Sequence, residues 1–84
     1  MTADTLIPLY GFVHGDTLGL LVLVRSNDTV RTLAASMQQA ASVRVAPRER
    51  TAVFAAGRRL DPESTVAAAG LTPLERVDLV PEVG

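Results

Sequence analysis

The stretch "TVRTLAASMQQAAS", residues 29–42, contains neither glycine nor proline and repeats its apolar residues on a helical period. Val30, Leu33, Ala34, Met37 and Ala41 stand at i, i+3, i+4, i+7 and i+11, which puts them on one stripe of an α-helix. Arg31, Ser36, Gln38, Gln39 and Ser42 fall off that stripe. Burying Val30, Leu33 and Met37 would contribute roughly 1.5–3 kcal/mol each, so the stripe is expected to lie against a sheet or another helix. The preceding "SND" (26–28) offers helix caps, with Asn27 or Asp28 predicted to accept from the free amides of the first turn. No other segment carries this periodicity at such length, so what this one helix covers decides the fold.

Upstream, residues 1–4 form a polar lead. "TLIPLYGFV" (5–13) is rich in β-formers, and Pro8 marks it as an edge strand or a strand with a bulge. "HGD" (14–16) is turn chemistry, and "TLGLLVLVR" (17–25) reads as a second strand paired to the first in a hairpin. Downstream, "VRVAPRER" (43–50) is an irregular extended crossing, because Pro47 lacks an amide and disfavours the helical region for Ala46. "TAVFA" (51–55) is a strand, "AGR" a turn and "RL" (59–60) a short return strand. Asp61-Pro62 breaks it, and "ESTVAAAG" (63–70) suggests one helical turn ended by Gly70. "TPLE" (72–75) is a turn with Pro73 in second place. "RVDLV" (76–80) closes the domain, with Val77 and Leu79 on one face and Asp78 on the other.

The order strand, strand, helix, strand, short strand, strand is most simply packed as one helix over one face of a mixed sheet. The first and last strands pair in parallel at the centre and the helix makes the crossover. That is an α+β fold of the β-grasp, ubiquitin-like type, with four to five strands and a single domain spanning 1–84.

Bulk composition narrows the function. At 84 residues the core is thin, and with no cysteine neither disulfides nor thiolate metal ligands are available. Eight arginines face nine acidic residues, and there is no lysine. Without a basic surplus, nucleic acid is not an expected partner. The longest apolar run, "LGLLVLV" (18–24), is far short of the eighteen or so residues of a membrane span, and no basic n-region precedes an apolar run near the start. A soluble, cytoplasmic chain is expected.

The residues for chemistry are scarce. The one histidine, His14, lies in a turn beside Gly15 and Asp16, where a solvated side chain is the commoner case than a lone acid/base. A nucleophilic triad, a zinc site or a carboxylate-bridged diiron site each needs more ligands or bases than this chain has, and its glycines form no phosphate loop. No catalytic, cofactor-binding or metal-binding residue is assigned. Two features point instead to a partner. Arg44, Arg48 and Arg50 gather around Glu49, as in a loop that docks carboxylates. The second strand also fails to alternate. With Leu18, Leu20, Val22 and Val24 towards the helix, Leu21 and Leu23 point the other way, where Val80 and Ile7 or Leu9 would join them. A contiguous apolar patch of that kind marks an interaction surface.

Two resemblances bear on this reading. "VFAAGRRLDPESTVAAAGLTPLERVDLV" (53–80) resembles the second half of ubiquitin. A tag function does not follow, because "VPEVG" ends in a single glycine behind a proline and the absence of lysine precludes lysine-linked chains. "RVAPRE" (44–49) and "AGLTPLERVDLV" (69–80), with a looser match at "SNDTV" (26–30), resemble the toluene-4-monooxygenase system protein B family. The similarity runs from about Leu6 to the end, and the first strand and hairpin turn depart most. The resemblance implies a ubiquitin-like gamma subunit of a multicomponent hydroxylase that oxidises aromatic hydrocarbons or alkenes, toluene and isoprene among them, with O2. It implies a large alpha subunit holding two irons, a beta subunit completing a dimer of heterotrimers, and a Rieske ferredoxin, a reductase and an effector protein serving the complex. The alternative is a free-standing ubiquitin-like carrier or adaptor.

Overall fold

The computed structural model describes residues 4–82; most of the polar lead and the terminal Gly84 lie outside them. Its elements are β1 (Leu6–Val13), β2 (Leu20–Arg25), α1 (Val30–Ala41), β3 (Thr51–Ala55), β4 (Arg58–Arg59) and β5 (Arg76–Pro81). The five strands form one sheet in the order β2-β1-β5-β3-β4. β1 pairs antiparallel with β2 and parallel with β5, while β5 and β4 flank β3 antiparallel. With α1 across one face, this is the expected α+β, β-grasp arrangement.

The helix stripe is the core. Val30, Leu33, Met37 and Ala41 are buried against Leu9, Val22, Val24, Val53, Val77 and Leu79 of the sheet, and Ala34 packs at the margin of the cluster. Gly11 lets the two layers approach, since a Cβ there would stand 2.9 Å from Met37 Cε and 3.3 Å from Val22 Cγ2. The helix start is satisfied from within the fold. Val30 and Arg31 amides donate to the Ser64 and Pro62 carbonyls, and the Thr32 amide donates to Thr29 Oγ1 at 3.1 Å. Three of the four free donors of a helix N-terminus are thereby satisfied.

Several local expectations are corrected. Thr29, not Asn27 or Asp28, is the N-cap; Asp28 instead accepts from the Arg25 amide at 2.9 Å, closing the turn that leads into the helix. β2 starts at Leu20 rather than Thr17, because Asp16 Oδ1 accepts from the Leu18 amide and folds 16–18 into a side-chain turn. Leu18 is therefore exposed, not part of the core. β4 falls one residue early, at Arg58–Arg59.

Pro8 lies in an interior strand, between β2 and β5. Its carbonyl accepts from Leu74, so the missing N–H faces the same side, where pairing with β5 starts only at Tyr10 and Arg76. No ladder bond is lost there.

Candidate partner-docking face

The register of the strands maps the sheet face turned away from α1. Leu23 stands opposite Pro8, Leu21 opposite Tyr10, and Leu6 opposite Arg25. On the other side of β1, Tyr10 stands beside Arg76 and Phe12 beside Asp78, and Asp78 is opposite Phe54. The face divides in two. Towards β5, Arg76 stacks over the Phe12 ring at 4.2 Å and pairs with Asp78 at 3.1 Å, capping the aromatic ring with charge. Towards β2, charge stands only at the margins, in the Arg25–Asp4 pair at 3.4 Å opposite Leu6 and in Arg76 beside Tyr10. Leu21 and Leu23 are 61% and 62% exposed, and Leu6 and Tyr10 are about half exposed. Large apolar side chains at these exposures make a patch on the order of several hundred Å², the size at which a monomer's largest patch is often functional.

The membership of this patch differs from the sequence expectation at β1. Ile7 and Leu9 pair with Val24 and Val22 and pack into the core; Leu6 and Tyr10 take their place outside. Val80 is on the outer side, opposite Ala52 and half buried. The correction follows from backbone direction. The Tyr10 amide donates to Glu75 and the His14 amide to Leu79, so even-numbered β1 residues turn their hydrogen-bonding groups to β5 and odd-numbered ones to β2. Leu21 and Leu23, opposite even-numbered residues, consequently direct their own N–H and C=O groups away from β1, to the open edge of the sheet. The same two residues thus offer exposed side chains on the face and, among the described residues, backbone groups along the edge that no strand pairs.

Leu74 lies beside this patch, its amide donating to the Pro8 carbonyl at 2.6 Å. It occupies the third position of the turn Thr72–Glu75, closed by the Glu75 amide on the Thr72 carbonyl at 3.1 Å, and its φ is 65°. Proline second and positive φ third define a type II turn, which calls for glycine or asparagine at the third position. A leucine held there costs about 1–2 kcal/mol, and its side chain, 55% exposed, offsets part of that through the portion it buries. The turn was legible in the sequence. Its type was not, because proline in second place suits type I and type II turns alike and only the latter conflicts with leucine in third place.

The arginine loop is a separate place. Arg44 is not free: its guanidinium grips Asp16 through Nε at 3.0 and 3.1 Å and Nη2 at 2.9 Å, tying the hairpin turn to the chain after α1. The Asp16 side chain is only 1% exposed. The hydrogen-bonded Arg44 holds the Asp16 carboxyl below the usual carboxylate range, against the opposing effect of burial, and Asp16 in turn raises Arg44. Arg48 is fixed through its backbone, its amide and carbonyl both held by the Gln38 side chain at 2.6 and 3.1 Å. Among the described residues Arg48, Glu49 and Arg50 have no ion-pair partner, and all three are exposed. They lead into β3, three strand positions across the sheet from Leu21 and Leu23, roughly 14 Å at the spacing of a sheet. The structure does not bring the two groups of candidate residues together.

Elsewhere the chemistry is sparse. His14 is exposed. A cleft of about 510 Å³ opens between α1 and β3, lined by Ala34, Ala35, Gln38, Arg50, Val53 and Arg59 among others, but Arg59 is already paired with Glu82 at 2.7 Å. Among the described residues no group of three or more His, Cys, Asp or Glu side chains is placed to hold a metal ion, and no helix is long and apolar enough to cross a membrane.

A family model described as toluene-4-monooxygenase system protein B matches residues 6–80. Among solved structures, a chain of the toluene 4-monooxygenase HD complex with the inhibitor 4-bromobenzoate is similar at a TM-score of 0.86 and 30% identity, over 93% of this chain and 100% of that one. A ubiquitin of Caldiarchaeum subterraneum has a TM-score of 0.73 at 17% identity, covering 95% of this chain and 98% of that one. A designed protein based on ubiquitin has a TM-score of 0.80 at 20% identity, covering 94% and 92%. A comparison with curated protein sequences found no match.

Proposed function

Because the chain belongs to the toluene-4-monooxygenase system protein B family, we propose that it is the non-catalytic gamma subunit of a cytoplasmic, multicomponent diiron hydroxylase acting on aromatic hydrocarbons or alkenes. It binds and stabilises the large alpha subunit, which holds the two irons, within a dimer of heterotrimers that includes a beta subunit. A Rieske ferredoxin, a reductase and an effector protein serve the same complex. The observation that carries the reading is the exposed apolar half of the outer sheet face, at Leu21, Leu23, Leu6 and Tyr10, in a chain whose 30% identical relative was solved as part of a toluene 4-monooxygenase complex.

The alpha subunit covers this face and the β2 edge. Arg48, Glu49 and Arg50 supply a second, polar contact at the rim, where ion pairs tune association more than they strengthen it. Arg44 is withheld from that contact by Asp16.

Expression alone and with the alpha and beta subunits tests the proposal. Alone, the chain is expected to self-associate or to bind an apolar-surface dye, and co-expression is expected to abolish both while the chain co-purifies in fixed stoichiometry. A monodisperse, dye-silent monomer that co-purifies with neither subunit overturns it.

A further inference from the structure

We infer that Gln38 is a positioning residue, which orders the segment after α1 so that Arg48, Glu49 and Arg50 stand in a set geometry before any partner arrives. The inference rests on the gamma-subunit reading and deepens it at the polar contact. The segment 43–50 is hard to hold by its own backbone. It lies in no helix or strand, and Pro47 has no amide to donate. Among the described residues, backbone-to-backbone hydrogen bonds fasten only its two ends. The Arg44 and Val45 amides donate to the Ala41 carbonyl, and the Glu82 amide donates to the Arg50 carbonyl. Residues 46–49, in between, have no such bond.

Gln38 supplies what the backbone lacks. Its Oε1 accepts from the Arg48 amide at 2.6 Å, and its Nε2 donates to the Arg48 carbonyl at 3.1 Å. One side-chain amide thus meets both backbone groups of one residue, as the opposite residue does in a hydrogen-bonded pair of an antiparallel ladder. Gln38 is free to do so because it lies off the buried stripe of α1, half-buried on the flank that lines two clefts together with Thr51. The start of the segment is tied separately, by Arg44 on Asp16 and by Val45 against the core. The Arg48 backbone is therefore held, while the side chains of Arg48, Glu49 and Arg50 are exposed and without an ion-pair partner among the described residues. Arginines on an already ordered backbone meet carboxylates without the loop-ordering cost that weakens association. The partner chemistry that fits is a patch of carboxylates on the alpha subunit, facing Arg48 and Arg50.

The test uses Gln38→Met, which keeps the length and helix preference of the side chain and removes both hydrogen bonds. Amide exchange followed by NMR is expected to quicken about tenfold at Arg48, the net contribution of one hydrogen bond, with the amide spectrum away from the segment still that of wild type. The chain lacks lysine, so an amine-reactive dye labels the terminal amine alone, and binding to the purified alpha and beta subunits can be followed by anisotropy. In low salt the variant is expected to bind about three- to tenfold more weakly than wild type, and the gap should narrow as salt is raised. In an Arg48→Ala, Arg50→Ala background the same substitution should cost nothing further. Unchanged exchange at Arg48, or faster exchange with unchanged affinity, overturns the inference. A loss of affinity just as large in the Arg48→Ala, Arg50→Ala background overturns it too, because Gln38 would then act through something other than these arginines. Each of these results leaves the gamma-subunit reading standing. A wild-type chain that binds neither subunit removes that reading and this inference with it.

Discussion

Leu33→Ala and Leu23→Ala delete the same three carbon atoms from opposite sides of the sheet. Leu33 is fully buried beneath the helix, with no exposed surface, and Leu23 is 62% exposed on the outer face. At about 0.8 kcal/mol per buried methylene, the transfer loss at Leu33 is about 2.4 kcal/mol. The cavity left between α1 and the sheet raises the total into the ~2–5 kcal/mol range of buried leucine truncations. A domain of 84 residues has about 4–13 kcal/mol in all, so this one change removes a large part of it. Leu23→Ala loses contacts on one side only and should stay within about 0.5 kcal/mol, as surface substitutions do.

Urea titration followed by circular dichroism reads both. With an m-value near the lower end for small domains, about 1 kcal/mol per molar, the Leu33 variant should unfold about 2 M or more earlier, and the Leu23 variant at almost the wild-type midpoint. In the assembled complex the order should reverse, with Leu23→Ala the variant that binds more weakly. A Leu23 midpoint displaced as far as that of Leu33 would mean that the outer face is closed by the chain itself, and the docking argument would lose its basis.

Two further outcomes are expected. Because Arg44 depresses the Asp16 carboxyl, that group contributes stability in full above its ordinary value of 3.8. The contribution is lost as pH falls from there through the depressed folded value. Asp16→Asn should therefore be less stable than wild type at neutral pH and show a shallower decline in melting temperature into acid; parallel pH profiles would count against the pairing as a source of stability. His14→Ala should leave turnover of the reconstituted hydroxylase within about twofold at saturating subunit, and a larger loss that excess subunit cannot restore would place this chain in the chemistry.

How much of this could be read from the sequence depended on whether a signal was local. The helix stripe was legible because α1 is amphipathic, its four most buried residues all falling on one period. The parity of β1 was not, because "LIPLYGFV" is apolar on both faces and a period of two cannot tell inside from outside when neither is polar. Only the pairing of Ile7 with Val24 and Leu9 with Val22 fixes it. The N-cap was ambiguous for a related reason. Asn27, Asp28 and Thr29 are all able to cap, and the choice of Thr29 is made by the segment 62–66 that docks on the helix start. The grip of Arg44 on Asp16 joins residues 28 apart in the chain. Nothing in either neighbourhood announced it, and it gives Arg44 an intramolecular partner that Arg48 and Arg50 lack among the described residues.

The open edge of β2 bears on which surface needs a partner more. Exposed edge strands in proteins that live alone are blunted by lysine, proline, inward charges or bulges. β2 carries Leu21 and Leu23 on its outer face, and its one charged residue, Arg25, stands at the very end. Its unpaired backbone groups therefore sit beside the most exposed leucines of the sheet, a combination that favours pairing between copies. A partner lying along β2 covers edge and leucines in one contact. A partner seated only on Arg48, Glu49 and Arg50 leaves both open, while those three side chains, already solvated, gain little from being met. On the proposed reading, the asymmetry favours β2 and β1 as the primary contact, with the arginine loop as its accessory. It also predicts the order in which truncations should fail. Loss of the leucines should release the subunit, and loss of Arg48 and Arg50 should slow its arrival and make it more sensitive to salt.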